Sequence, residues 1–464
     1  MEAGSPLTPL GAALAVLSAI LILTLPRRVA LLPILAGVVF LPIGQSLQVA
    51  GLDFYLFRLV LLAALIRITL RGEAAAVGWC RLDTLVLVWA IVCLVFGSLS
   101  HPGLSAFITL SGVLYNGLAS YIVTRALVRD RGEFVTQLRF LALMIVPLTA
   151  LMGLEKATGR NLFSVLGGVN EITLVRDGEV RAQGPFQHPI LAGTFGATLL
   201  PLVLGLARMR SPRLRWRGIV GSVCALGITV AAASSGALLA AMTSVVALCV
   251  WPMRRSLRLV RVGLLLLLLV LQAGMSRPLW WIFDTIGSIT GGTGWHRSYI
   301  IDAAIRHWRE WILVGTPVTA HWGGYPPPPN DPNNIDITNQ FIVEAVSGGA
   351  LRLILFVTII WTCFKSLGVA FRGRRRIHPQ TEWLAWATGV ALLAHCIAFF
   401  SIAYFDQLVF FWFWLLSVVA AGAMERGWLV RDRVPHRARR ARTPSADAGR
   451  DPAPSTGAEP LEAP

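Results

Sequence analysis

The sequence predicts an all-α fold, a polytopic bundle of transmembrane helices, and three observations lead there. Hydrophobic residues make up 55% of the 464 positions and charged residues 14%, well below the charged share of soluble domains. Apolar windows of about 18 residues or more, long enough to cross a hydrocarbon core, recur along the chain. The basic residues then fall in alternate loops, as the positive-inside bias requires.

Taken in order, spans are expected at 8–25, 29–46, 54–70, 83–99, 104–124, 138–154, 189–207, 218–233, 236–252, 259–275, 341–364, 381–402 and 407–424. These twelve to thirteen crossings form one domain over 1–424. The first lacks a basic leader and is followed by Pro26-Arg27-Arg28, the reverse of a cleaved signal peptide's charge order, so it reads as a retained helix. Arg27 and Arg28, then Arg67, Arg71 and Arg81, then Arg125, Arg129 and Arg131 follow odd-numbered spans, and later sets from Arg208 and Arg254 onward do the same. They mark the cytoplasmic side, which leaves the N-terminus outside and the C-terminus inside. A net charge of +17 therefore belongs to topology and does not indicate a nucleic-acid partner. The segment 425–464 is Arg-rich up to 442 and then Pro-, Ala- and acid-rich. It reads as a disordered tail whose basic part rests on anionic lipid headgroups.

Two outer loops are long, 155–188 and 274–340, and they hold Arg176, Arg181, Arg297, Arg306 and Arg309. The short segments on the same side, 45–55, 100–104 and 403–407, hold no Lys or Arg. Only short loops obey the charge bias, so the long-loop arginines point to a site and the short segments to plain connectors. None of the six cysteines lies in the long loops, which excludes a disulfide framework or a cysteine metal site there. In the second loop, Trp280 and Trp281 suit a membrane interface. Residues 295–315 read as an amphipathic helix with Ile301, Ala304, Ile305, Trp308 and Ile312 on its apolar side. The following YPPPPNDPNN is a stiff extended linker.

Three constellations could carry chemistry. In 179–193, Arg181, Gly184, Gln187 and His188 precede a helix that starts near Pro189. Polar groups at a helix N-terminus make a ready anion site, although Arg181 could equally snorkel to headgroups. His296 and Arg297 sit at the start of the amphipathic helix, again placed for phosphate or else on a solvated face. In 333–349, Asp336 and Asn339 precede an apolar helix that bears Glu344, and Asp336 could be that helix's N-cap. No HExxH or comparable spacing links His296, His307 and His321, so no metal is expected. Arg58, Glu344 and His395 are the sparse intramembrane polar groups, and there are no internal repeats. Both features argue against a transporter or flippase, the competing class.

The three segments in this order resemble the O-antigen ligase and O-antigen polymerase superfamily of bacterial envelope polysaccharide synthesis. The likeness covers roughly 170–365: Arg181, Gly184, Phe186 and Pro189; Ser234-Ser235-Gly236, where the family often has Ser-Arg-Gly; the Arg297 helix ending in Gly315-Thr316-Pro317; and the polar pair before a helix with Gly348-Gly349. The resemblance implies an enzyme of the bacterial inner membrane that needs no metal or cofactor. It would move a glycan from an undecaprenyl-diphosphate carrier to an acceptor glycan on the outer face, with a chain-length regulator as a candidate partner. Arg181 and Arg297 would hold the diphosphate, with His188, His296, Arg58 and Glu344 as further binding candidates. Ligases of the family pair His with Asn in the last loop. Here the pair reads Thr338-Asn339, which favours a polymerase over a ligase. Asp336 is the expected base, with His321 its rival and Asn339 beside it.

Overall fold

A computed structural model describes residues 5–49, 52–75, 77–290, 294–329, 331–372, 376–423 and 433–434. Apart from 433–434, the expected tail lies outside the described residues. The fold is mostly helical, with little sheet. The helices are α1 (Pro9–Thr24), α2 (Leu32–Phe40), α3 (Leu56–Leu70), α4 (Arg81–Ser100), α5 (Leu104–Leu127), α6 (Arg131–Thr158), α7 (Pro189–Leu204), α8 (Pro212–Ala231) and α9 (Ser235–Cys249). They continue with α10 (Leu257–Gly274), α11 (Ile282–Thr290), α12 (Gly294–Arg306), α13 (Trp308–Trp311), α14 (Gln340–Val346), α15 (Gly349–Arg372), α16 (Pro379–Ala398) and α17 (Gln407–Ala423). Among the described residues, seven helices are long and apolar enough to cross a membrane.

Local chemistry sets many of the helix starts. Proline opens α1, α7, α8 and α16, where its missing N–H costs nothing and its fixed φ is already helical. Asp130 caps α6 by accepting from the Glu133 amide at 2.9 Å, and left-handed Gly159 ends that helix. α7 and α17 are buried almost throughout. α7 packs against α8, α9 and α16, and α17 against α5. α10 has no buried residue, and Leu264 to Val270 are exposed all round it, a surface suited to an apolar medium.

The structure departs from the expected elements in three places. The 29–46 segment holds only nine helical residues, α2, about 14 Å of helix, followed by β2 (Gln45–Val49). That strand pairs antiparallel with β3 (Leu52–Tyr55) and parallel with β1 (Ser5–Pro6), so this part of the chain is not a simple span. The eleventh span divides at Ser347, and Gly349 (φ 70°) starts α15 as a separate helix. The 295–315 helix breaks at His307 into α12 and α13. Its buried face carries His296, Arg297, Ile300, Ala303 and Ala304, while Ile305 and Trp308 are exposed. α12 packs on Trp322, Ile335, Ile342 and Val346 in a second small core, and that packing decides which face turns inward.

Glu344 is also placed differently from its expected role in binding. Its carboxylate is buried, accepts from Arg352 Nε at 2.7 Å and Trp89 Nε1 at 2.9 Å, and also from Gln340 Nε2 at 2.7 Å. Removing one partner of such a pair strands the other charge at a cost of about 3–5 kcal/mol. Glu344→Ala should therefore lower the thermal unfolding midpoint in detergent sharply, and Glu344→Ala/Arg352→Met should recover much of it. A double variant no more stable than the single one would contradict this assignment.

Candidate functional site

The site lies where α6 and α8 end and α7 and α9 begin, and it is anchored by Glu155 in the last turns of α6. The buried Glu155 carboxylate accepts from the Gln183 amide (2.9 Å), the Gly184 amide (2.8 Å) and the Thr173 hydroxyl (3.1 Å). The Arg181 amide donates to the Leu174 carbonyl at 2.9 Å, and the Ala182 amide to the Ala231 carbonyl at 3.1 Å. Lys156 Nζ holds the Val180 carbonyl at 2.9 Å. Just before Arg181, β4 (Val175–Arg176) and β5 (Glu179–Val180) form a hairpin. Its turn, Asp177-Gly178, has φ of 54° and 78°, the backbone that a two-residue type I′ turn needs. The Arg181 main chain is thus fixed on both sides, while among the described residues its side chain forms no ion pair. The residue is 7% exposed, and its Nε is buried without a hydrogen-bond partner.

Arg297 comes from the other long loop. Asp302 of α12 accepts from the indoles of Trp280 (2.6 Å) and Trp281 (2.9 Å), and Tyr299 donates to the Trp322 carbonyl at 2.8 Å. The two tryptophans expected at an interface therefore fasten α12 in place. Arg297 is 9% exposed. An added Cβ at Gly236, in the first turn of α9, would lie 3.3 Å from Arg297 Nη2 and 2.5 Å from Ser401 Cβ. Arg297 can pass over the start of α9 because no side chain occupies position 236.

Both arginines line one cavity of about 960 Å³, together with Lys156, Arg176, His188, Ser234, Ser235, His296, Tyr325, Asp336, Thr338 and Ser401. Three helix N-termini border it: α7 through His188, α9 through Ser234 and Ser235, and α12 through His296 and Arg297. Each contributes partial positive charge. Asp177 and Glu179 at the rim pair with Arg176 and Lys156, both at 3.4 Å. Among the described residues, no carboxylate lies within ion-pair distance of Arg181 or Arg297. Burial, then Arg176 and Arg181, lowers the Arg297 guanidinium to about 10, so it stays charged at neutral pH. The same causes, burial first and then Arg181 and Arg176, bring His188 down to about 4. It is neutral, as its Nδ1 must be to accept the Ile190 amide at 3.2 Å.

Asp336 stands at the cavity edge. The surrounding protein raises its carboxyl above the usual range, and His296 partly offsets the effect. Its carbonyl lies 3.0 Å from His296 Nε2, so that nitrogen is the one assigned the proton. Asp336 is not a helix cap. Asn339 fills that role for α14, its Oδ1 accepting from the Ile342 amide at 3.2 Å, and it does not line the cavity. His321 lies outside the cavity beside Glu310. Arg58 also lies outside it, donating to Asn116 Oδ1 at 3.2 Å and covering the Tyr55 ring at 4.9 Å. Residues 401–405, which include most of an expected plain connector, instead supply a wall through Ser401, Ile402, Ala403 and Phe405. Neither a protein-family profile nor a curated protein sequence matches this chain.

The arrangement can hold an extended anion with two or more phosphate charges. Gly236→Ala should displace Arg297 and weaken inorganic pyrophosphate binding about tenfold, a loss of about 1.4 kcal/mol, without changing the elution profile of the purified protein. Unchanged affinity in a titration would separate Gly236 from the anion site.

Proposed function

We propose that this chain is a membrane glycan polymerase, joining units carried on undecaprenyl diphosphate at the outer face of a bacterial inner membrane. The single observation that carries this reading is the pair of buried guanidiniums, Arg181 and Arg297, in one cavity and, among the described residues, with no carboxylate in ion-pair distance. Burying an unpaired charge costs several kcal/mol, and an anionic ligand offsets that cost. The resemblance to O-antigen polymerases and ligases supplies the substrate class.

In the proposed reaction, the acceptor hydroxyl oxygen bonds to the anomeric carbon of the carried glycan as the bond from that carbon to the phosphate oxygen breaks. The electron pair leaves on the diphosphate, where Arg181, Arg297 and the three helix N-termini stabilise the developing charge. The hydroxyl proton passes to the Asp336 carboxylate, a better base for its raised affinity. Ligase chemistry would use the same steps with a different acceptor, and Thr338, where ligases have histidine, favours the polymerase. A flippase needs a polar path through the bundle. Instead, Glu344 is paired with Arg352, His395 Nδ1 meets the Tyr404 hydroxyl at 2.7 Å, and Arg58 is bound to Asn116.

With purified protein and a diphospho-undecaprenyl oligosaccharide, a gel should show a ladder of longer products. Arg181→Ala and Arg297→Ala should each slow it by about 10²–10³-fold, and laddering that persists in both variants would remove the proposal. The base must be ionised, so the rate should rise with pH through an apparent pKa above the ordinary aspartate value. Asp336→Asn should lose that limb along with about 10²–10⁴-fold in rate. An Asp336→Asn enzyme with an unaltered pH profile would exclude Asp336 as the base.

A further inference from the structure

The break between α12 and α13 brings three donor side chains together away from the cavity. His307 Nδ1 lies 2.7 Å from Glu310 Oε1, and His321 Nε2 lies 2.9 Å from Glu310 Oε2. All three donor atoms lie within 4.8 Å of one another. In a tetrahedral zinc site with bonds of about 2.0–2.2 Å, donors stand about 3.4 Å apart, a spacing that the 2.7 Å and 2.9 Å contacts and the 4.8 Å outer limit of this group bracket. Two imidazoles and one carboxylate suit a borderline-soft ion and discriminate against magnesium and calcium.

The supporting contacts also fit an ion site. Trp322 Nε1 donates to Glu310 Oε2 at 2.9 Å, which orients the carboxylate. The His307 ring stacks on Trp322 (centroids 5.4 Å, 13°) and stands perpendicular to His321 (5.2 Å, 87°). Trp322 belongs to the small core with Ile300, Ala303 and Ile335.

We infer that His307, Glu310 and His321 bind one divalent transition ion of the zinc class, which clamps the 307–322 stretch over the small core beneath α12. The ion would steady the helix that carries Arg297 without touching the cavity, since none of its three ligands lines it. The test therefore needs no glycan substrate, and its failure would leave the polymerase proposal standing.

Tag-free full-length protein in detergent, treated with chelator and then titrated with ZnCl₂, should bind one zinc per chain saturably, with quenching of tryptophan fluorescence and a rising melting temperature. MgCl₂ should do neither. His321→Ala and Glu310→Gln, both checked for an unchanged elution profile, should each weaken zinc binding at least about tenfold. The inference is overturned if the wild type shows no saturable zinc binding, which would leave a hydrogen-bonded triad only. It is equally overturned if both variants bind zinc as the wild type does, which would place the ion elsewhere.

Discussion

Two guanidinium groups held in one cavity wall, with no carboxylate in ion-pair distance among the described residues and three helix N-termini beside them, are the constraint on which the rest of the site depends. Arg181 and Arg297 are both nearly buried, and Arg297 carries the electrostatic burden of Arg176 and Arg181 as well as its own desolvation. Such an arrangement is unfavourable in isolation and becomes favourable when a polyanion enters. The local acids relieve it only in part: Asp177 favours the charged form of Arg181 but is engaged at the rim with Arg176, as Glu179 is with Lys156.

The scaffold maintains this tension through bonds that spare the two side chains. Glu155 fixes the loop before α7 by three hydrogen bonds, and Asp302 fixes α12 through two indoles. Gly236 lets the second guanidinium lie over the start of α9. Among the described residues, three other buried arginines are neutralised by carboxylates. Arg67 pairs with Glu73, Arg125 with Asp83 and Arg352 with Glu344. The cavity arginines stand out against that pattern.

Much of the fold and the principal cations were legible in the sequence, because hydrophobic runs set helix positions and long loops escape the charge bias that explains other arginines. The inward face of α12 was not legible. Ile301, Ile305 and Trp308 suggested one apolar side, but tertiary packing on Trp322 and Ile335 buried the side that bears Arg297. Glu344 and Arg352 are eight residues apart across a helix break, a spacing that carries no pairing signal. The wall from Ser401 to Phe405 has no charge to mark it. Glu155 read only as a loop boundary, since three backbone and hydroxyl donors converge on it from residues 18 to 29 positions away. His307, Glu310 and His321 meet through a chain reversal that linear spacing does not show.

The central claim, that both guanidiniums hold one diphosphate, is tested most directly by the binding of undecaprenyl diphosphate to wild type, Arg181→Gln, Arg297→Gln and the double variant. If one diphosphate bridges the two side chains, each single change should remove most of the affinity and the double change little more, a coupling of about 1.5 kcal/mol or larger. Losses that simply add, or affinities unchanged by either substitution, would mean that the arginines do not act on a common ligand.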